Sequence, residues 1–206
     1  MKYLRQYIRQ TLLTEGAFTP EDLPDNLSIR IRNDGELFDV TMVKKTKGYT
    51  KDGSGWIMSS EYSSVGGEIQ AYKISNSKTG HCLGAYMVSY STASSGWGPL
   101  LYDIAIELAT QNGSGLIADR ESVSGDARAV WNYHMTNRSD VTGIQMDNLK
   151  NTLTPEEEDN CDQEVSRGYR SGGGSGWQAS PLSKIYKKSP ASTIEKLRSL
   201  GKLVEV

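Results

Sequence analysis

The chain has 206 residues, 25 acidic against 23 Lys and Arg side chains, and a formal net charge of −2. That length suits one sizeable domain, and 36% hydrophobic residues suffice for a core, which excludes wholesale disorder. There is no global positive field to hold nucleic acid or an anionic membrane, no apolar run near the ~20 residues of a spanning helix, and no signal-peptide pattern at the N-terminus. A cytoplasmic protein with no membrane contact is expected.

The first 27 residues read as a helical segment. Leu4, Tyr7, Ile8, Thr11 and Leu12 share one face of a helix over 2–15, which Gly16 stops. Thr19-Pro20-Glu21-Asp22 then signals one short helical turn, ended by Pro24. The period changes to two at Ser28–Arg32, Asn33–Glu36 makes a turn, and Leu37–Val43 returns as a hairpin. Residues 44–55 form a basic, glycine-rich stretch. Lys44, Lys45, Lys47 and Lys51 with Tyr49 and Trp56 suit phosphates and stacked bases, but read first as a solvated hairpin loop. Strands are expected over 56–62, 68–74 and 83–90.

A small-residue loop, Ser91–Gly98, leads into a helix from Pro99 with Leu101, Ile104, Ala105 and Leu108 at helical spacing. Gly115–Asp119 is a short buried strand. Ser122 or Ser124 caps a helix carrying Ala127, Val130, Trp131 and His134. Residues 136–180 are polar and glycine-rich and read as a long insertion with little regular structure. A strand over 181–188 and a short helix with a Ser192/Glu195 capping box close the chain.

These elements predict a single α/β (α+β) domain over 1–206, with a mixed, mostly antiparallel central sheet flanked by helices on both faces. Two cysteines far apart in sequence, Cys82 and Cys161, are expected as free thiols, and two histidines are too few for a structural zinc site, so no metal is expected.

Gly96-Trp97-Gly98-Pro99 lies between a strand and a helix. Amides at a helix N-terminus point outward unpaired at the positive end of the dipole, and glycines let a bulky anion approach. The order strand, glycine loop, helix, strand, helix over about residues 56–137 resembles the GNAT superfamily of N-acetyltransferases. Its loop pattern Q/R-x-x-G-x-G/A is similar to Ala93-Ser94-Ser95-Gly96-Trp97-Gly98, with Ala93 at the Gln or Arg position. Its last helical motif resembles Ser124–Tyr133, without the closing Gly-Phe. The style of the sequence is that of a divergent, phage-encoded member, placed in the host cytoplasm or the virion.

The resemblance implies acetyl transfer from acetyl-CoA to an amine acceptor. Ser95, Gly96, Trp97, Gly98 and Leu100 would bind the cofactor's pyrophosphate, and Tyr133 would protonate the thiolate. Acetyl transfer also needs a base for the ammonium proton. Glu68 and Asp119 stand at strand ends and are the candidates. Ala93, Pro99 and the 136–180 segment equally suit a non-catalytic phage accessory or virion structural protein that keeps the fold. The N-terminal helix offers a face for a protein partner, and nucleic acid is not an expected ligand.

Overall fold

The computed structural model describes residues 17–52, 55–74, 82, 84–119, 122–146, 176 and 178–206, with the backbone alone over 47–52 and 55–61. Its strands are β1 (Leu27–Asn33), β2 (Leu37–Asp52), β3 (Gly55–Lys73), β4 (Tyr86–Ala93), β5 (Leu116–Ile117), β6 (Val141–Gln145), β7 (Lys184–Lys188) and β8 (Leu203–Glu205). The α-helices are α1 (Gly98–Asn112), α2 (Gly125–Asn137) and α3 (Thr193–Ser199). The strands form one sheet in the order β6-β7-β5-β4-β3-β2-β1-β8. Pairing is antiparallel except between β4 and β5 and between β1 and β8. The fold is therefore α+β with a mixed, mostly antiparallel sheet.

Alternation along the strands sends one row of side chains into the main core. Ile29 and Ile31, Phe38 and Val40, Ile69 and Ala71, and Tyr86 and Val88 are all buried there. α1 lies against this face and is buried from Pro99 to Ala109 on every side. A helix with that profile must be covered all round. α2 and α3 cover it, contributing Val130, Trp131, Ile194 and Leu197 to the same cluster. A smaller cluster of Ile74, Cys82, Ala85, Ile117, Met146 and Ile185 forms separately. The three described helices all join the larger cluster; the helix expected over 2–15 lies outside the described residues. Among the described residues no helix is long and apolar enough to cross a membrane.

Several boundaries differ from expectation. The described part of the stretch 44–55 is strand rather than loop: β2 runs on to Asp52 and pairs with a single long β3. Lysine, glycine and serine there carry no apolar alternation, so the pattern hid the strands. β4 begins at Tyr86 and runs through Ala93, taking in residues expected as loop. The 136–180 insertion is not irregular throughout, because α2 ends at Asn137 and β6 pairs with β7 over Val141–Gln145; most of the rest lies outside the described residues. Cys82 is not a free thiol but is disulfide-bonded. It is 1% exposed, with its Sγ 3.8 Å from Met146 Sδ, so long sequence separation did not keep it from a bonding partner.

Candidate functional site

β4 and β5 are paired only at Tyr86–Leu116 and Met87–Ile117. β4 then continues six residues, to Ala93, held on its other side by β3. The sheet opens between the two parallel strands beyond their last pair. A cleft of about 580 Å³ lies beside the end of β4, on its β3 side, and no described residue of β5 lines it. β3 contributes Glu68 and Ile69 to its wall, the 91–99 segment most of its floor, α1 Leu101 and Tyr102, and α2 the face from Ser124 to Val130. A bulge leaves β4 Ser89 as an extra residue between the pairs Gln70–Tyr90 and Ala71–Val88.

The glycine loop is built by local bonds. Ser94 N donates to Gly66 O at 2.6 Å, and Trp97 N to Ser94 O at 3.1 Å. Gly96 sits at φ +87°, a conformation that favours glycine, and its carbonyl accepts from Phe18 N at 3.2 Å. The Trp97 ring packs on Phe18 with centroids 4.4 Å apart. The amides of Ser95, Gly96, Gly98 and Leu100 have no hydrogen-bond partner among the described residues, and no side chain caps α1. Pro99 has no amide to give. The N-terminus of α2 reaches the same cleft at Gly125, where Ser124 Oγ accepts from Ala127 N at 3.1 Å. Gly98 allows the start of α1 to lie close against the second turn of α2, since a Cβ there would stand 3.2 Å from Val130 Cγ2. Two helix N-termini thus converge on one cavity, a favourable field for an anion. Asp126 and Glu68 are the charged residues on its wall; no Lys or Arg lines it among the described residues.

The residues expected from sequence are not all brought together. Ser95, Gly96, Gly98 and Glu68 line the cleft. Leu100 is 2% exposed and does not line the cleft. Trp97 clamps the loop onto Phe18 rather than lining the wall. Glu68 is half-buried, and its Oε1 accepts from Gln70 Nε2 at 2.9 Å. Tyr133 lies a turn beyond the α2 wall, edge-on to His134 with centroids 5.4 Å apart. Asp119 does not line the cleft either; its charge acts on Tyr72, helping burial to raise that hydroxyl's pKa.

Sequence reasoning missed Tyr102. Its hydroxyl stands 2.9 Å from Ser91 Oγ, and both residues line the cleft. Burial raises its pKa, while the Ser91 contact works the other way, so the group is a proton donor at neutral pH. Apolar periodicity singled out Leu101, Ile104, Ala105 and Leu108 instead. The signal was the four-residue spacing from Gly98, one helical turn that brings Tyr102 under the loop.

Beneath the cleft, His134 Nε2 stands 3.2 Å from Pro99 O in the first turn of α1, and Nδ1 is buried with no partner. The ring is fully buried, and burial pulls its pKa down to about 4 against the opposing pull of Asp103. It is neutral and out of reach of a ligand in the cleft. Among the described residues no group of three or more His, Cys, Asp or Glu is placed to hold a metal ion.

Comparison with protein-family models, curated proteins and solved structures finds no match to this chain.

Proposed function

We propose that the chain is an N-acyltransferase that moves an acetyl group from acetyl-CoA to an amine. The observation that carries this reading is the convergence of two helix N-termini, with the unpartnered amides of the lining residues Ser95, Gly96 and Gly98, on one cleft beside the end of β4. Amides in that array suit a pyrophosphate without a lysine or arginine. The succession of strand, loop, helix, strand and helix is also the order in which the sequence resembles the GNAT superfamily.

In this reading the thioester lies along the cleft and the acceptor enters from the Glu68 side. Glu68 takes a proton from the ammonium group, directly or through a water, leaving a neutral amine. The amine nitrogen bonds to the carbonyl carbon, the carbon–sulfur bond breaks, and the thiolate leaves. The Tyr102 hydroxyl supplies the thiolate's proton, Ser91 orients it, and the second proton that the nitrogen sheds as the amide forms passes through water to the Tyr102 oxygen and restores the hydroxyl. The products are an amide and a free thiol.

One observation favours a second reading. Glu68 and Asp126 put negative charge on a wall that, among the described residues, holds no cation. That arrangement suits an accessory or virion structural protein that retains the fold and binds no anion.

Calorimetric titration with acetyl-CoA separates the two. Gly98→Glu is a poor control, because a side chain there presses on Val130. Ser95 is exposed, and Ser95→Glu sets a carboxylate beside the free amides without crowding the core. The transferase reading expects micromolar binding, weakened about tenfold or more in Ser95→Glu, with a matching ligand-induced rise in Tm. Absence of binding at millimolar acetyl-CoA overturns it in favour of the second reading.

A further inference from the structure

β2 and β3 outrun the sheet that holds them. β1 pairs with β2 no further than Lys44, and β4 pairs with β3 no further than Gly67. The β2–β3 ladder continues through eight more pairs, from Lys45–Tyr62 to Asp52–Gly55. At ~3.4 Å per residue this is a two-stranded ribbon of roughly 27 Å. Among the described residues no third strand pairs with either edge of it.

The register sorts the ribbon's residues. In an antiparallel pair, residues directly opposite share a face and successive residues alternate. One face therefore takes Lys45, Lys47, Tyr49 and Lys51 with Tyr62, Ser60, Met58 and Trp56 across from them. The other takes Thr46, Gly48, Thr50 and Asp52 with Glu61, Ser59, Ile57 and Gly55. All three ribbon lysines and all three aromatic residues fall on the first face, and both carboxylates on the second. A register slip of one residue in either strand would destroy this separation.

We propose that the ribbon binds single-stranded nucleic acid along its lysine–aromatic face. Lysines neutralise phosphates, and aromatic rings stack on unpaired bases of any sequence. Duplex DNA offers no exposed base planes, so the aromatic residues point to a single strand. The net charge of −2 does not oppose this. Lys47 stands about 14 Å along the ribbon from Val43 and Lys51 about 27 Å, both beyond the ~8 Å Debye length at physiological salt. The inference rests on the β2–β3 register alone and so stands apart from the transferase reading.

The test is fluorescence anisotropy of the full chain with a labelled oligothymidylate of about 20 nucleotides, at salt from about 50 to 200 mM. Micromolar binding is expected. Replacing Lys45, Lys47 and Lys51 together by Ser should flatten the log–log salt dependence by about 2. Tyr49→Ala with Trp56→Ala should weaken binding about tenfold or more and leave that slope unchanged. The second variant keeps the proposal testable should the first fail to fold, and an unchanged Tm certifies each. No anisotropy change at the lowest salt overturns the proposal. So does binding that both folded variants retain, or a duplex of equal length binding as tightly as the single strand.

Discussion

Lys188 Nζ lies 2.9 Å from Glu107 Oε2, with the two side chains 0% and 1% exposed. The same ammonium reaches Asp103 Oδ2 at 2.9 Å and donates to Thr193 Oγ1. Asp103 Oδ1 also faces Arg138 Nη2 at 2.8 Å, off the axis of a hydrogen bond. Glu107 does more than pair. Its Oε2 accepts from Ser192 N at 3.1 Å and Thr193 N at 2.8 Å, and its Oε1 from Ile194 N at 3.1 Å. A carboxylate from α1 thus caps α3 and stands in for the expected Ser192/Glu195 box. Ser192 makes no capping bond, and Glu195 pairs with Arg198.

Removing one member of this buried set leaves the others uncompensated. Lys188→Met should cost about 3–5 kcal/mol in urea unfolding, because two carboxylates lose their shared cation. Ser192→Ala should change stability by less than about 0.5 kcal/mol, since no cap is lost. A large loss in Ser192→Ala would return the cap to serine and remove the role given to Glu107.

His134 makes stability depend on pH in a defined window. Its folded-state pKa is about 4 because burial penalises the imidazolium, while an unfolded histidine titrates near 6.5. The folded pKa is the lower one, so the unfolded chain takes up the proton first. The stabilisation is complete above about pH 6.5 and is lost as pH falls toward 4. Between pH 7 and pH 5 the wild type should lose about 2 kcal/mol more than His134→Gln, a variant whose amide can still donate to Pro99 O. Parallel curves for the two proteins would show that the ring does not drive the loss.

The disulfide at Cys82 has one possible partner within the chain, since the only other cysteine is Cys161. Intact mass under non-reducing conditions should be about 2 Da below the reduced value, and peptide mapping should recover the Cys82–Cys161 link. Closing a loop of that length restricts the unfolded chain by about 4.5 kcal/mol in the loop-entropy model, so reduction should lower Tm markedly. Two alkylatable thiols in the folded protein under oxidising conditions would contradict the bond.

How much of this was legible in the sequence depends on the range of the contacts. The strand–loop–helix run from Tyr86 to Asn112 was readable because Gly96, Gly98 and Pro99 act on their own neighbourhood. The Glu107–Lys188 pair was not, because 81 residues separate its members and a charged residue in a helix reads as solvent-facing until its partner is known. β8 escaped notice for a different reason: Leu203–Glu205 is three residues long and gains its meaning from pairing with Ile29–Ile31. The ribbon was hidden by composition, since Lys, Gly and Ser carry no period-two apolar signal. Of the residues that line the cleft, Ser95, Gly96, Gly98 and Glu68 had been named from sequence. Tyr102 was missed because a tyrosine at helical spacing in a buried helix looks like core.

Tyr102 is also where the transferase reading is most exposed to test. Its hydroxyl lies in the cleft wall against Ser91, whereas Tyr133 lies outside it. Loss of a positioned proton donor typically slows a reaction 10²–10⁴-fold. Once an acceptor supports turnover, Tyr102→Phe should lower kcat by about that range and leave acetyl-CoA affinity within a factor of about two. Tyr133→Phe should stay within a few-fold of wild type. Replacing acetyl-CoA by a thioester whose thiol is more acidic should narrow the Tyr102→Phe defect, because such a thiolate needs less protonation to depart. A defect of equal size with both donors would assign Tyr102 to packing the cleft and leave the thiolate's proton to another group.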